Sequence, residues 1–184
     1  MLHELIAGRW SPRTFKQQIV ETEKVALMFA AAGRAASAFN EQPWRFIWAS
    51  REDSEAFGRL AECLVDKNRA WAEEAPVLFL TVAAQTFAHN GRENRHARHD
   101  VGLAMGNLTL QAASLGIMIH QMAGFDSEIA RKNLKIPTGF EPVAMVAAGY
   151  SDQEAPAVEM RRRRPLEESV FHAEWNRKSG LMVP

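Results

Sequence analysis

The 184-residue sequence predicts an α/β or α+β sandwich built on one central sheet, and three observations carry that prediction. Four short apolar stretches alternate with amphipathic helical patterns along the chain. One stretch, PVLFLTVAA (76–84), is apolar nearly throughout, as a strand covered on both faces must be. A long pattern from about Arg95 to Leu115 is apolar or small nearly all round from Val101 onward, which predicts a helix buried on every side. No repeat or low-complexity tract interrupts the first 150 residues, and the length suits a single domain over 1–184.

The elements follow in the order α–β–α–β–α–β–α–β. Glu21 to Ala36 carries Val25, Met28, Phe29 and Ala32 at helical spacing, with Thr22 as the expected N-cap. SAFNEQPW (37–44) breaks that period, and Pro43 stops it; RFIWAS (45–50) reads as a strand. Asp53 to Val65 is helical, with Cys63 beside Leu60 and Leu64, a packing position; RAWAEEA (69–75) continues as a second helical piece. The apolar strand at 76–84 begins at a proline and runs into the polar loop QTFAHNGREN (85–94). After the long helix, Gly116 ends it and IMIHQMAG (117–124) reads as a strand that reaches a glycine. Asp126 caps a short helix through Lys132, Pro137-Thr138-Gly139 makes a turn, and PVAMVAAGY (142–150) is the last strand. In a chain this small, full burial of the long helix implies that a partner subunit covers one face. From Ser151 the chain turns polar, and its tail, with Trp175, Leu181 and Val183, is expected to wrap a neighbour.

Formal net charge is zero, so no global field favours nucleic acid or an anionic membrane, and no window approaches the roughly 18 unbroken apolar residues of a span. Cys63 is the single cysteine, which excludes an intrachain disulfide and fits a reducing, cytoplasmic compartment. The start MLHELIAGRW lacks the basic and apolar regions of a secretory signal, so none is expected, and Asn107-Leu108-Thr109 is discounted as a glycosylation acceptor. His96, His99 and Asp100 have helical spacing that suits a metal, yet no second cluster completes a site. His120 reads as a packed strand residue, and no nucleophile elbow or Ser-His-Asp arrangement can be argued.

Two segments carry chemistry. In GRWSPRTF (8–15), Arg9, Ser11 and Arg13 alternate, so an extended backbone points all three the same way. Two guanidinium forks and a hydroxyl make a cup for a phosphate monoester. The chain has neither GxGxxG nor GxxxxGK[ST], which disfavours a glycine-lined grip. A solvated loop with ordinary surface arginines is the alternative. In SAFNEQPWRF (37–46), Ser37, Asn40 and Gln42 offer groups that both donate and accept, which suits the mixed edge of an isoalloxazine ring. The alternative there is a polar turn with Trp44 as a core anchor. Together the two segments suit flavin mononucleotide (FMN).

The pattern resembles the FMN-dependent nitroreductase family over nearly the whole chain, in six collinear pieces. RWSPRTF is similar to the family's opening arginine–serine–arginine motif, and AASAFNEQPWRF to its PSSxNxQPWxF segment. NRAWAEEAPVLFLTVA resembles its asparagine-bearing helix and following strand. HDVGLAMGNLTLQAASLGIMIHQMAGFD resembles its central helix, strand and GFD turn, and AAGYSD and RRRRPLEESV its closing strand and basic clamp. Trp10 stands where many members have a second basic residue, Ala36 replaces a proline, and Asp100 falls where some have glutamine.

The resemblance implies a three-layer α/β/α sandwich of α+β class with a mostly antiparallel sheet. It implies a homodimer with a shared interface and residues 151–184 wrapped on the partner. By position it assigns Arg9, Ser11 and Arg13, with Trp10 beside them, to the phosphate and ribityl end, and Arg162 and Arg164 to a late clamp on the same phosphate. Asn68 falls at the flavin's pyrimidine edge. Ser37, Ala38 and Asn40 would approach from the second subunit, and Gln42 belongs to the same cofactor-binding segment. Gln121, Met122, Ala123 and Gly124 would lie against the ring, with the backbone N–H of Ala123 or Gly124 aimed at N5. The implied activity is NAD(P)H-dependent and ping-pong, with a nitroaromatic or quinone as acceptor, and no catalytic side chain is expected because the flavin carries the chemistry. A non-catalytic flavin-binding or redox-sensing protein is the alternative, with the acceptor slot blocked by Trp10, Phe39 and the 85–94 loop.

Overall fold

In the computed structural model, residues 2–153 and 162–181 are described. Four strands form one antiparallel sheet in the order β1-β2-β4-β3: β1 (Trp44–Ser50), β2 (Val77–Ala84), β3 (Met118–Met122) and β4 (Phe140–Gly149). The helices are α1 (Glu4–Ala7), α2 (Thr22–Ala32), α3 (Ser54–Ala61), α4 (Asp66–Ala72), α5 (Ala97–Ser114) and α6 (Ser127–Asn133). Period-two alternation in the strands sorts the core into two layers. Val77 and Phe79 of β2, with Val146 and Ala148 of β4, pack under α2 and α5 through Val25, Met28, Ala104 and Leu108. Leu78 and Leu80, with Met145 and Ala147, face the other way onto Phe57 and Leu60 of α3, Ala72 of α4 and Ala130 of α6. The molecule is therefore an α/β/α sandwich. The expected doubly buried strand is β2, buried along nearly its whole length.

Several boundaries differ from the sequence reading. Helix α2 starts at Thr22 with Glu21 at its N-cap and no side-chain cap, and it stops at Ala32, where the Gly33 N–H bonds back to Phe29 and Ala31. Helix α3 ends at Ala61 rather than Val65, while Asp53 caps it by accepting from the Ala56 N–H at 3.0 Å. Asp126 caps α6 as expected, accepting from Glu128 and Ile129. Within this chain one face of α5 is open: Val101, Ala104 and Leu108 are buried, but Gly102 and Gly106 are exposed and Leu103 is 41% exposed, and this is the face that the sequence reading expects a partner subunit to cover. Glycine adds no hydrophobic side chain to cover, so an apolar-looking stripe leaves an open face.

The start of α2 is tied to the end of β4 by an exposed cluster. The Tyr150 hydroxyl donates to Glu21 at 2.5 Å, and the Lys24 ammonium donates to Tyr150 at 2.7 Å and to Glu21 at 3.0 Å. The Tyr150 hydrogen bond, then backbone and Lys24 contacts, pull the Glu21 carboxyl down to about 2 from 4.5. A carboxyl whose pKa is depressed on folding stabilises the fold fully above its unfolded value and loses that contribution as pH falls from 4.5 towards 2. Tyr150→Phe should therefore be less stable than wild type at pH 7, and urea melts should show the difference narrowing through that acid window.

Candidate functional site

The residues Arg9 to Arg13 run extended beside the β3 edge, and their exposure alternates as a period-two segment requires. Arg9, Ser11 and Arg13 are at least partly exposed, whereas Trp10 is 7% exposed and Pro12 is buried. The same alternation that presents the arginines turns Trp10 inward, where its side chain packs. Arg9 donates to Ser11 Oγ at 3.1 Å. Both line a cleft of about 580 Å³ with Gln121 of β3, Arg163 and the exposed Gly102–Gly106 face of α5. Arg13 lies elsewhere, its guanidinium 5.9 Å from the Trp71 ring centroid. Of the late arginines, the cleft takes Arg163 rather than Arg162 or Arg164.

A second set of expected residues meets at the end of β3. The Asn68 amide donates to the Gly124 carbonyl at 3.0 Å, and the Val65 N–H donates to the same oxygen at 3.2 Å. A Cβ on residue 124 would lie 2.5 Å from Asn68 Nδ2, so this approach requires glycine. No described residue accepts a hydrogen bond from the backbone N–H of Ala123 or Gly124. Met122 is buried in the core under α3 and α6, so it supports the strand and does not present its side chain.

The 37–42 loop carries Phe39, Asn40 and Gln42 at φ values of +54°, +56° and +52°. Such backbone is strained for Phe and Gln, at about 1–3 kcal/mol each, and persists only where neighbours over-determine it. Two carboxylates do so here. Asp100 of α5, 2% exposed, accepts the Ala38 N–H at 2.9 Å and meets His99 Nδ1 at 3.0 Å. Glu41 accepts the Ala88 N–H at 2.9 Å and joins the loop to 85–94. Inside the loop, Ser37 Oγ accepts from the Gln42 N–H at 3.0 Å, and the Gln42 amide donates to the Asn40 carbonyl at 3.2 Å. Trp44 is a core residue. The polar-turn reading therefore describes Ser37 and Gln42 in part. Phe39 is 83% exposed and meets Phe87 edge to face at 5.6 Å.

Within one protomer the structure does not bring Ser37 or Ala38 to the Arg9 cleft. They line a recess with His96, His99 and Leu103 at the start of α5. The exposed stripe His99, Gly102, Leu103, Gly106 runs from that recess to the cleft, and Asp100 and Gly106 are about 9 Å apart along the axis. Removing the brace should show in the loop: Asp100→Ala is expected to cost about 1.5 kcal/mol and to make residues 37–42 an early site of limited proteolysis.

FMN fits this donor set. The cleft volume lies within the roughly 300–1,000 Å³ of small-molecule sites. Two guanidiniums and a hydroxyl suit a phosphate, and the glycine face lets a ligand lie close to α5. Trp71, His120 and Arg163 were not singled out for the site by sequence reasoning, and Asp100 was marked only as a position where some family members have glutamine. Long-range pairs leave no local signal, and a run of four arginines carries no phase. Among the described residues no group of His, Cys, Asp or Glu side chains could hold a metal ion, and no helix is long and apolar enough to cross a membrane.

Residues 6–150 match the model of the Nitroreductase family. A solved structure of an oxidoreductase containing FMN superposes with a TM-score of 0.87 at 32% identity, covering 97% of this chain and 94% of that one. The 5,6-dimethylbenzimidazole synthase of Rhodospirillum rubrum is 28% identical, over 89% of this chain and 90% of its own length. The NADH dehydrogenase of Thermus thermophilus is also 28% identical, over 89% and 91%.

Proposed function

The chain belongs to the nitroreductase family, and from that premise we propose that it is an FMN-dependent NAD(P)H oxidoreductase of the cytoplasm. The observation that carries this reading is the cleft in which Arg9, Ser11, Gln121 and Arg163 surround the glycine face of α5. The FMN-containing oxidoreductase with the same fold and the NADH dehydrogenase relative support it by their names. When bound, FMN would supply the redox chemistry, hydride transfer between NAD(P)H and an acceptor such as a nitroaromatic or quinone in ping-pong turnover.

The protein's part is to bind, orient and exclude water. Arg9, Ser11 and Arg163 would hold the phosphate end, while Arg13, packed over Trp71, lies outside the groups that line the cleft. Arg162 and Arg164 flank Arg163 on the clamp. Asn68 would serve the pyrimidine edge, and the Ala123 or Gly124 N–H would be the donor for the reacting edge of the ring. Gln121 and the end of β3 support it. The uncovered α5 stripe is the surface on which a second copy would seat, with Ser37, Ala38 and Asn40 of each copy facing the other's flavin and residues 151–184 wrapping the partner. Residues 154–161 and 182–184 of that tail lie outside the described residues.

The absorption spectrum of protein purified and reconstituted with FMN tests the reading. Flavin bands near one per chain, followed by steady oxidation of NADH or NADPH with a quinone, are expected. A colourless protein after reconstitution removes the reading, and bound flavin without turnover converts it to a flavin-binding sensor.

A further inference from the structure

His120 lies at the centre of β3, between the arginine segment and α4. Its Nδ1 is 2.7 Å from the carbonyl oxygen of Pro12, a contact across 108 residues of sequence. A carbonyl only accepts, so Nδ1 carries the proton and donates it. The ring lies 4.5 Å from that of Trp71, tilted by 41°, and the Arg13 guanidinium sits over the same indole. Trp71 Nε1 is buried and has no hydrogen-bond partner among the described residues, so the indole is held by packing alone. Asn68 is one turn earlier on α4 and reaches Gly124. His120 thus sits where the arginine segment, α4 and β3 meet.

Pro12 lies between Ser11 and Arg13, and its nitrogen has no hydrogen to give, so its carbonyl is the one polar backbone handle at that residue. An extended segment at a sheet edge otherwise has considerable conformational freedom, at about 1–2 kcal/mol per residue to fix. Packing of buried Trp10 also holds the segment, and further along the Lys16 N–H meets the Tyr150 carbonyl at 2.8 Å, Ser151 Oγ meets the Thr14 carbonyl at 2.9 Å, the Thr14 hydroxyl meets Gln153 at 3.1 Å and Lys16 pairs with Asp152 at 2.6 Å.

We propose that His120 is a positioning residue for the cofactor phosphate: by donating Nδ1–H to the Pro12 carbonyl it fixes Arg9 and Ser11 over the cleft, without touching the ligand itself. This rests on the FMN reading above. The imidazole is held below its ordinary pKa, first by burial and then by Arg13 and Arg9, against the opposing pull of the Pro12 hydrogen bond. It is therefore neutral near pH 7, adding no third charge between the arginines. Its contribution is geometric.

Two variants separate the hydrogen bond from the stack. His120→Phe keeps a ring against Trp71 and removes the donor. His120→Asn removes the ring and keeps an N–H near the position of Nδ1. Dissociation constants for FMN and for riboflavin, measured by flavin fluorescence on the apoprotein, are the readout. Riboflavin lacks the phosphate, so a merely structural lesion weakens both ligands alike.

His120→Phe should weaken FMN about tenfold, the equivalent of one lost hydrogen bond, and riboflavin by less than about threefold. His120→Asn should stay within about threefold of wild type for both. Equal losses for the two flavins, unchanged FMN affinity in His120→Phe, or no recovery in His120→Asn would each overturn the proposal. Where a variant does not fold, nitrogen-15 spectra of the wild-type imidazole decide: the Nδ1–H tautomer is required, and the Nε2–H tautomer overturns it. A wild-type protein that binds riboflavin and FMN equally well contradicts the phosphate role, whereas one that binds neither removes the FMN reading itself.

Discussion

Arg9→Ala is expected to raise the dissociation constant for FMN by about ten- to a hundredfold, or about 1.5–3 kcal/mol, through loss of one charge-assisted contact. The expectation is specific to Arg9. Its guanidinium donates to Ser11 Oγ, so the cation and the hydroxyl are already side by side at the cleft wall with Arg163. Pre-arranged donors lose less freedom on binding than a mobile side chain does. Arg9→Lys keeps the charge without the planar fork and should fall between wild type and alanine. Arg13→Ala is expected to weaken FMN less than Arg9→Ala, because its guanidinium lies over Trp71 and not among the groups that line the cleft. Titration of the apoprotein with FMN at fixed ionic strength measures all three. Unchanged affinity in Arg9→Ala would remove the phosphate from this cleft.

The layers of the fold could be read from local pattern because each strand's period is local. Val77 and Phe79 fall on one face of β2 and Leu78 and Leu80 on the other, and both faces are buried. The alternating exposure of Arg9, Ser11 and Arg13 follows the same local period and turns Trp10 and Pro12 inward, but period alone does not keep the three together: the Arg13 guanidinium lies over Trp71, away from Arg9 and Ser11. Helix ends were less legible. α2 ends at Ala32, four residues before the expected end, because the N–H groups of Gly33 and Arg34 bond to the last turn and the chain leaves the helix there.

The site's braces were hidden for a different reason. Asp100 to Ala38 spans 62 residues and His120 to Pro12 spans 108, so neither pair forms a pattern within any window. The left-handed backbone at Phe39 and Gln42 was also unmarked, since of the three residues that adopt it only asparagine is a usual occupant. The exposed face of α5 was concealed by its glycines. They count as small residues in a helical pattern yet leave a surface that a ligand or a second chain can approach.

Two glycines face nearly the same collision and should respond in opposite ways when replaced by alanine. A Cβ at Gly124 would lie 2.5 Å from Asn68 Nδ2 and 3.1 Å from Val65 Cγ2. The first of these atoms is the free end of a side chain, which can swing aside. Doing so breaks the bond from Asn68 to the Gly124 carbonyl and, on the proposed reading, withdraws the amide from the flavin edge. Gly124→Ala should therefore cost only about 1 kcal/mol of stability while weakening FMN by about fivefold or more. A Cβ at Gly149 would lie 2.5 Å from both Cδ and Cγ of Pro76, with Phe15 Cδ1 at 3.1 Å. A proline ring cannot rotate away, and the Pro76 carbonyl is itself held by the Arg51 N–H at 2.8 Å. The end of β4 would have to lift from the chain that leads into β2, disturbing its pairing with Met118. Gly149→Ala should lose about 3 kcal/mol, as overpacked cores do, which is about 6–12 °C in melting temperature for a chain of this size. Measured well below its melting point, it should still bind FMN within about threefold of wild type, because no cleft atom is altered. Thermal melts and flavin titrations on the same two proteins check this crossed pattern; a Gly149→Ala protein that melts like wild type, or a Gly124→Ala protein with full FMN affinity, would show that the close approaches at these two glycines do not constrain the fold and the site as described.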